Sequence, residues 1–591
     1  MRYKLQIGLI LLLLLLGCDK KTTDDPVVAI AIVPQATVVL GNPLQMSALG
    51  QTLSGANTGP VAVTWQSDDP DIVTVDGNGL LSGVKIGLAE LSARNETFSA
   101  SVSVGVVSPL LGGKKLNISG KASYEDKPYT KDGFTGQLVN TPIRRAAVGL
   151  IAIDGFATLA TAYTEEDGSY SFSDIDNSGR RGGVYLSIQA KTADNSASPA
   201  VVRNNQTEQL LLAYTGPALD DSSTNSNFAS ADIVVPANGI GGAFNILDAF
   251  LKGGAFIQKP GFCPTASFTA CKAPFLTAFW EPGGNTGSSF ESGTPAISIS
   301  GGGPTKGDTD EYDDTVILHE YGHFIASIFS HDDSPGGSHF IGDSTQDMRL
   351  SWSEGWGTFF ASAVLGSPLA VDTSATKSAF KFNIDTNDTN YTTDELSNSS
   401  VLWDTLTATD FPSVWASFRD IPAGAIATME AFAFGASGFI TRNQASVLAF
   451  KAILEGRKIE FFPDLSDGQE SDLVVGASQH HTLYLSDTNP VGDEDIIPFN
   501  VIFGRKYTIK TNNLTNGADT FLTLNNAGIV LTNDNAINCG TCLINNLNTL
   551  ASSITFTANT TGALSVSVKP SPTAPPSAGL TGSYNITLTS P

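Results

Sequence analysis

Three side chains within residues 316–329, VILHEYGHFIASIF, are spaced for chemistry: His319, Glu320 and His323. The stretch is apolar at helical spacing, and residues four apart share one face of an α-helix, so the two imidazoles can converge on a single ion. Glu320 follows the first histidine directly and projects to the side, where it can meet a water activated by that ion. Two histidines as ligands and a glutamate as general base is the chemistry of the H-E-x-x-H arrangement, and zinc is the ion it suits. The chain has only 6 histidines in 591 residues, so this spacing would rarely arise by accident. The bland alternative is a helix carrying two unrelated histidines.

A catalytic zinc needs three protein ligands and an open position. In metzincins the third ligand is a histidine six residues after the second; position 329 is Phe, which removes that class. His331, His339 and the aspartates Asp332, Asp333 and Asp347 are within reach of a folded loop. Glu354 is the better candidate: LSWSEGWGTFFA, residues 350–361, has bulky residues at helical spacing and reads as a second buried helix. A buried carboxylate needs a partner to offset its desolvation. With Trp352-Ser-Glu-Gly-Trp356 added to His319, Glu320 and His323, the sequence resembles the gluzincin metallopeptidases. That resemblance implies a mainly α (α+β) zincin domain, a zinc ion held by His319, His323 and Glu354, and hydrolysis of protein or peptide substrates. Glu354 lies 31 residues beyond His323, more than in the shortest members, and the Gly- and Asp-rich loop between them reads as an insertion over the cleft. Asp394-Glu-Leu396 and Val401-Leu-Trp-Asp404 resemble the N-E and L-W-D elements of related peptidases; Asp404 would orient a ligand histidine, or else cap and pack its own helix. For the donor to the transition state, Tyr391 is the candidate, with His339 behind it. Tyr321 points away from the metal face.

These residues need elements to position them. An amphipathic helix is expected at 244–256 and a short strand at 296–300, read either as an edge for extended substrate or as an ordinary interior strand. Helical spacing continues from 423 to 462.

Composition places this chemistry outside the cytosol. The chain is acidic, with formal net charge −25, which argues against nucleic acid as a partner, since phosphate recognition needs basic patches. A basic start, an apolar run at 5–16 and Leu15-Leu-Gly-Cys18 form a signal segment too short for a comfortable membrane span. Its ending resembles a bacterial lipobox. That implies cleavage before Cys18, a lipid on its thiol, attachment to the membrane and a place in the cell envelope, at the outer membrane or cell surface more than the cytoplasmic membrane. An ordinary signal peptide is the alternative. The other four cysteines pair by proximity into two local disulfides, Cys263 with Cys271 and Cys539 with Cys542, as an oxidising compartment allows.

The rest reads as short alternating strands. Residues 27–107 resemble a bacterial immunoglobulin-like domain of the second group through Trp65, Ser67, Asp76, Gly79, Leu80, Gly83 and Gly87. Residues 115–235 resemble the carboxypeptidase regulatory-like fold through AYTEEDGSYSF, with Glu165–Asp167 as a solvated turn. Residues 476–591 resemble a bacterial pre-peptidase C-terminal domain, in which Asp493, Asp495, Asp519 and Asp534 occupy acidic turns; solvated turns are one reading, calcium ligands the other. His480 and His481 carry no role. The expected order is therefore a signal segment (1–18), a tether (19–26), two all-β sandwich modules (27–107, 115–235), the metallopeptidase domain (236–475) and a third β module (476–591). The competing reading is a surface adhesin whose peptidase-like domain is inactive.

Overall fold

The computed structural model describes residues 25–34, 37–259, 262, 271–284, 287–302, 307–343, 346–374, 379–386, 393–421, 427–434, 439, 447–457, 459, 472–483, 494–514, 518–534, 550–572 and 582–591. Cys18, Cys263, Tyr391, Asp493, Cys539 and Cys542 lie outside them, so the lipid site, both cysteine pairings and the proposed tyrosine donor have no structural description; Cys271 is fully buried.

Two compact units emerge where four folded segments were expected. The first holds residues up to 128, 134–248 and 277–284; the second holds 129–133, 249–276 and 285–591. In the first unit, strands Val27–Val33, Ser47–Thr52 and Asn57–Pro60 form one sheet, and Thr37–Val39, Ser99–Val107, Gly87–Arg94 and Thr64–Ser67 form another. Their alternating residues meet in a core that includes Ile32, Val38, Leu81, Leu91 and Val104, with Trp65 packed against it. Gly79 has φ +82°, and a Cβ there would sit 3.0 Å from the Trp65 ring, so both turn geometry and close approach call for glycine. The second β segment is built around the long strand Lys115–Asp126 and the strand Val184–Thr192. An apolar cluster of Ile86, Leu88, Val107, Ile153 and Tyr185 joins it to the first, which is why the two modules count as one unit. Glu165 and Glu166 sit on the surface, paired with Arg145.

Helix α1, Gly241–Ile257, covers the expected 244–256, and the division between the units falls inside it. In the second unit, α2 is Asp314–Phe329, α3 is Met348–Leu365, α4 is Glu395–Ala408 and α5 is Phe411–Arg419. Asp347 caps α3 by accepting from the Arg349 N–H, and Gly366, at φ 65°, ends it. Helix α3 has buried residues on every side, so it is the centre of the helical layer. The stacked rings of Trp356, Trp415 and Phe418 join α3 to α5, and Trp356 Nε1 donates to Gly322 O of α2 at 3.1 Å. At the far end of the chain, two four-stranded antiparallel sheets enclose a core that includes Phe499, Tyr507, Leu522, Val566 and Ile586.

Candidate metal centre

The H-E-x-x-H spacing does in α2 what helical geometry requires: His319 and His323 stand one above the other, their Nε2 atoms 3.1 Å apart. Helix α3 brings Glu354 to both. Its Oε2 lies 3.0 Å from His319 Nε2 and 3.4 Å from His323 Nε2. The approach of α3 depends on glycine: a Cβ on Gly357 would lie 3.0 Å from the His319 ring, and one on Gly322 would lie 3.0 Å from the Gly357 Cα. With Zn–N distances of 2.0–2.1 Å, two ligands of a tetrahedral ion stand about 3.3 Å apart. The three donor atoms therefore have the chemistry and the mutual separations that a zinc ion takes.

The rings are oriented from behind. His319 Nδ1 lies 3.1 Å from Thr358 Oγ1. His323 Nδ1 lies 3.1 Å from Ser353 Oγ, and the Ser353 hydroxyl donates to Asp332 Oδ2 at 2.8 Å. Because the serine proton is committed to Asp332, its oxygen is left to accept, so His323 carries hydrogen on Nδ1 and turns Nε2 toward the cluster. Helical spacing from Glu354 to Thr358 was a signal for the first of these partners. Asp332 was weighed only as a ligand; its role here is to hold Ser353.

Charges are balanced within the cluster. Burial pulls the His323 pKa down, but the Glu354 carboxylate and then Glu320 and Asp332 outweigh it and push it up to about 9. Burial works against ionised Glu354, yet His323 and His319 hold it well below the ordinary carboxylate range. Glu320 is raised, first by burial, while the two imidazoles pull it back and the Phe290 backbone N–H donates to it. A general base at neutral pH benefits from this direction.

Other expected residues fall in different places. Asp404 does not orient a histidine: its Oδ2 accepts from Arg457 Nε at 2.7 Å, because its face of α4 turns toward the helix Val447–Gly456 that Arg457 follows. Among the alternatives for the third ligand, Asp347 caps α3, Asp333 accepts from the Ala427 N–H at 3.1 Å, and His331 belongs to no metal-sized group among the described residues. His339 does approach, with Nε2 at 3.4 Å from Glu354 Oε2 and 3.8 Å from Glu395 Oε2. Burial raises Glu395 to about 7. A cavity of ≈ 500 Å³ opens beside His319 and His339, lined by Phe340, Val371, Phe380 and Phe382 among others. The strand Ala296–Ser298 pairs with Ser289–Glu291, and it is Phe290 of the latter strand that reaches Glu320.

Two findings lie outside the sequence expectations. Asp495 and Asp519 are 0% and 5% exposed, so neither is a solvated turn: Asp495 accepts from the Tyr584 hydroxyl inside the C-terminal core. Among the described residues these aspartates and Asp534 form no group of three at metal-binding separation. Such a group does exist elsewhere, in Asp308, Asp310 and Asp372. Burial, with Asp308 and Asp372 nearby, pushes Asp310 up to about 9.

Comparison with known proteins adds a family for one part. Residues 26–104 match the model of the bacterial Ig-like domain (group 2), as the sequence reading of 27–107 expected. No curated protein matches the chain. Among solved structures, the chain is similar to the pre-peptidase C-terminal domain of collagenase from Bacillus anthracis, at 13% identity over 20% of this chain and 96% of that one, with TM-score 0.15. It is also similar to the S-layer protein rSbsC, at 15% identity over 34% of this chain and 32% of that one, with TM-score 0.14. A third, the Bacillus anthracis TIE protein, is 9% identical over 35% of this chain and 33% of its own, with TM-score 0.12. The alignments thus span about a third of the latter two.

Proposed function

We propose that this chain is a zinc metalloendopeptidase of the glutamate-liganded class, held at a bacterial cell surface by a lipid on Cys18. The observation that carries the reading is the convergence of His319 Nε2, His323 Nε2 and Glu354 Oε2 with the Glu320 carboxylate beside them.

His319, His323 and Glu354 would hold the zinc, and the ion's Lewis acidity would make water a nucleophile near neutral pH and polarise the scissile carbonyl. Glu320 takes a proton from the attacking water and delivers it to the leaving amine, a role suited to a carboxyl that burial has raised. Thr358 and the Ser353–Asp332 pair keep the two imidazoles turned to one point. The apolar cavity beside His319 suits a large hydrophobic side chain of a peptide substrate. His339, close to Glu354 and Glu395, is the described residue placed to donate to a developing oxyanion.

The test is Glu320→Gln in the purified chain. Zinc content stays at the wild-type level while cleavage of a casein-like substrate falls by about 10²–10⁴-fold, the usual contribution of a general base. Normal cleavage by that variant would sink the mechanism. A second reading, a surface adhesin with an inactive peptidase-like domain, draws on the Ig-like match at 26–104; wild-type protein without chelator-sensitive proteolysis would favour it.

A further inference from the structure

The carboxylates of Asp308, Asp310 and Asp372 each bring an oxygen within 4.8 Å of the other two. Ionised, carboxylates at that separation repel and are acceptor-only, so only a proton held between them or a cation relieves the cluster, and burial of Asp310 sets these two in competition. Asp310 sharpens the problem. It is 3% exposed, and although the Ser288 hydroxyl donates to its Oδ2, its Oδ1 is buried without a hydrogen-bond partner. A buried acceptor left in this state is destabilising, and more so if charged.

The setting is well built. Asp310 opens the short 3-10 turn Asp310–Tyr312 that leads into α2, and Asp372 lies on the strand Leu369–Thr373. Between them, the Asp313 carboxylate accepts from the Thr373 N–H at 2.6 Å and from its hydroxyl at 2.9 Å, and the Thr309 and Thr373 hydroxyls are 2.9 Å apart. An isolated bridge pairs Asp308 with Ser374. The backbone that carries the three aspartates is therefore tied together around them. All donors are hard oxygens, with no histidine or cysteine among them, which selects calcium over zinc.

We propose that Asp308, Asp310 and Asp372 form a calcium site that ties the approach to α2 to the strand Leu369–Thr373. Calcium supplies the positive charge that the unpartnered Asp310 oxygen lacks, and takes its remaining ligands from water and backbone carbonyls. The site would brace the cleft, because the same strand contributes Val371 to the cavity beside His319. Asp372 itself lines that cavity, but none of the three aspartates is a zinc ligand, and the site does not depend on the peptidase reading.

The experiment uses the full mature chain, zinc-loaded and dialysed free of calcium. Calcium binding is counted by isothermal titration and Tm is measured with and without calcium. Wild type is expected to bind one more calcium per chain than Asp310→Asn/Asp372→Asn, and its calcium-dependent rise in Tm is expected to be lost in that variant. Asp308→Asn, at a half-buried position, is expected to weaken the same binding event at least tenfold. Asp519→Asn, in the C-terminal sandwich, is expected to leave it intact. Equal stoichiometry and an equal Tm response in wild type and the aspartate variants would overturn the proposal, as would a response lost in Asp519→Asn but kept in Asp308→Asn.

Discussion

Among the groups of three ligand atoms in the second unit, two share no residue, and they differ in what they are made of. His319, His323 and Glu354 offer two imidazole nitrogens and one carboxylate, braced from behind by hydroxyls. Asp308, Asp310 and Asp372 offer carboxylates alone, on backbone that Thr309, Asp313 and Thr373 tie together. One sits along α2 and the other on its approach, so one helix organises both. Proximity of ligands alone does not choose the ion; nitrogen against oxygen does. The first group is suited to chemistry because its ion would keep an open position, the second to holding backbone together.

The largest effect that separates the groups should come from Glu354→Ala. It removes a ligand of the first group without touching the second, and is expected to abolish stoichiometric zinc, read by metal analysis, and all proteolysis. His331→Ala and His339→Ala should both retain zinc. Loss of zinc in either, with Glu354→Ala still loaded, would move the third ligand off α3. A smaller effect is expected from Ser353→Ala, which takes away the acceptor for His323 Nδ1–H but no ligand. Zinc affinity should fall about 10–100-fold, as it does when an outer partner of a metal histidine is lost. The same change at Asp404 should leave zinc affinity untouched, since Asp404 answers to Arg457. Equal losses from the two would break the assignment of Ser353 and Asp332 as the brace.

How far each group could be read in the sequence follows from its spacing. His319 and His323 are one helical turn apart in a chain poor in histidine, and Glu354 sits in a run of bulky residues that had to be a buried helix. The bracing partners were harder. Thr358 is a helical turn from Glu354, but Ser353 gains its role only through Asp332, which arrives from a loop. Asp372 is far from Asp308 and Asp310 in sequence, and aspartate is common, so nothing in composition or periodicity joins them. Asp404 misled because a motif element fixes a residue on a helix and not the neighbour that its face meets. The β segments were legible as alternating strands, while their grouping was not: the apolar cluster of Leu88, Val107, Ile153 and Tyr185 joins two of them through residues that each segment could have buried alone.

A third set of carboxylates gives the comparison its mildest test. Asp519 and Asp534, in the C-terminal sandwich, have neither imidazoles nor a third carboxylate among the described residues to complete a metal-sized group. Burial first, and then the Asp534 charge, raise Asp519 to about 7. An acid raised in this way binds its proton more tightly folded than unfolded, where a carboxyl titrates near 3.9. Its contribution to stability is thus full below the unfolded value and is lost as pH rises through about 7. In calcium-free buffer, Tm of the sandwich transition should fall between about pH 4 and pH 7, and Asp519→Asn, which keeps the shape without the charge, should flatten that slope. A slope unchanged by Asp519→Asn would place the pH dependence on other groups.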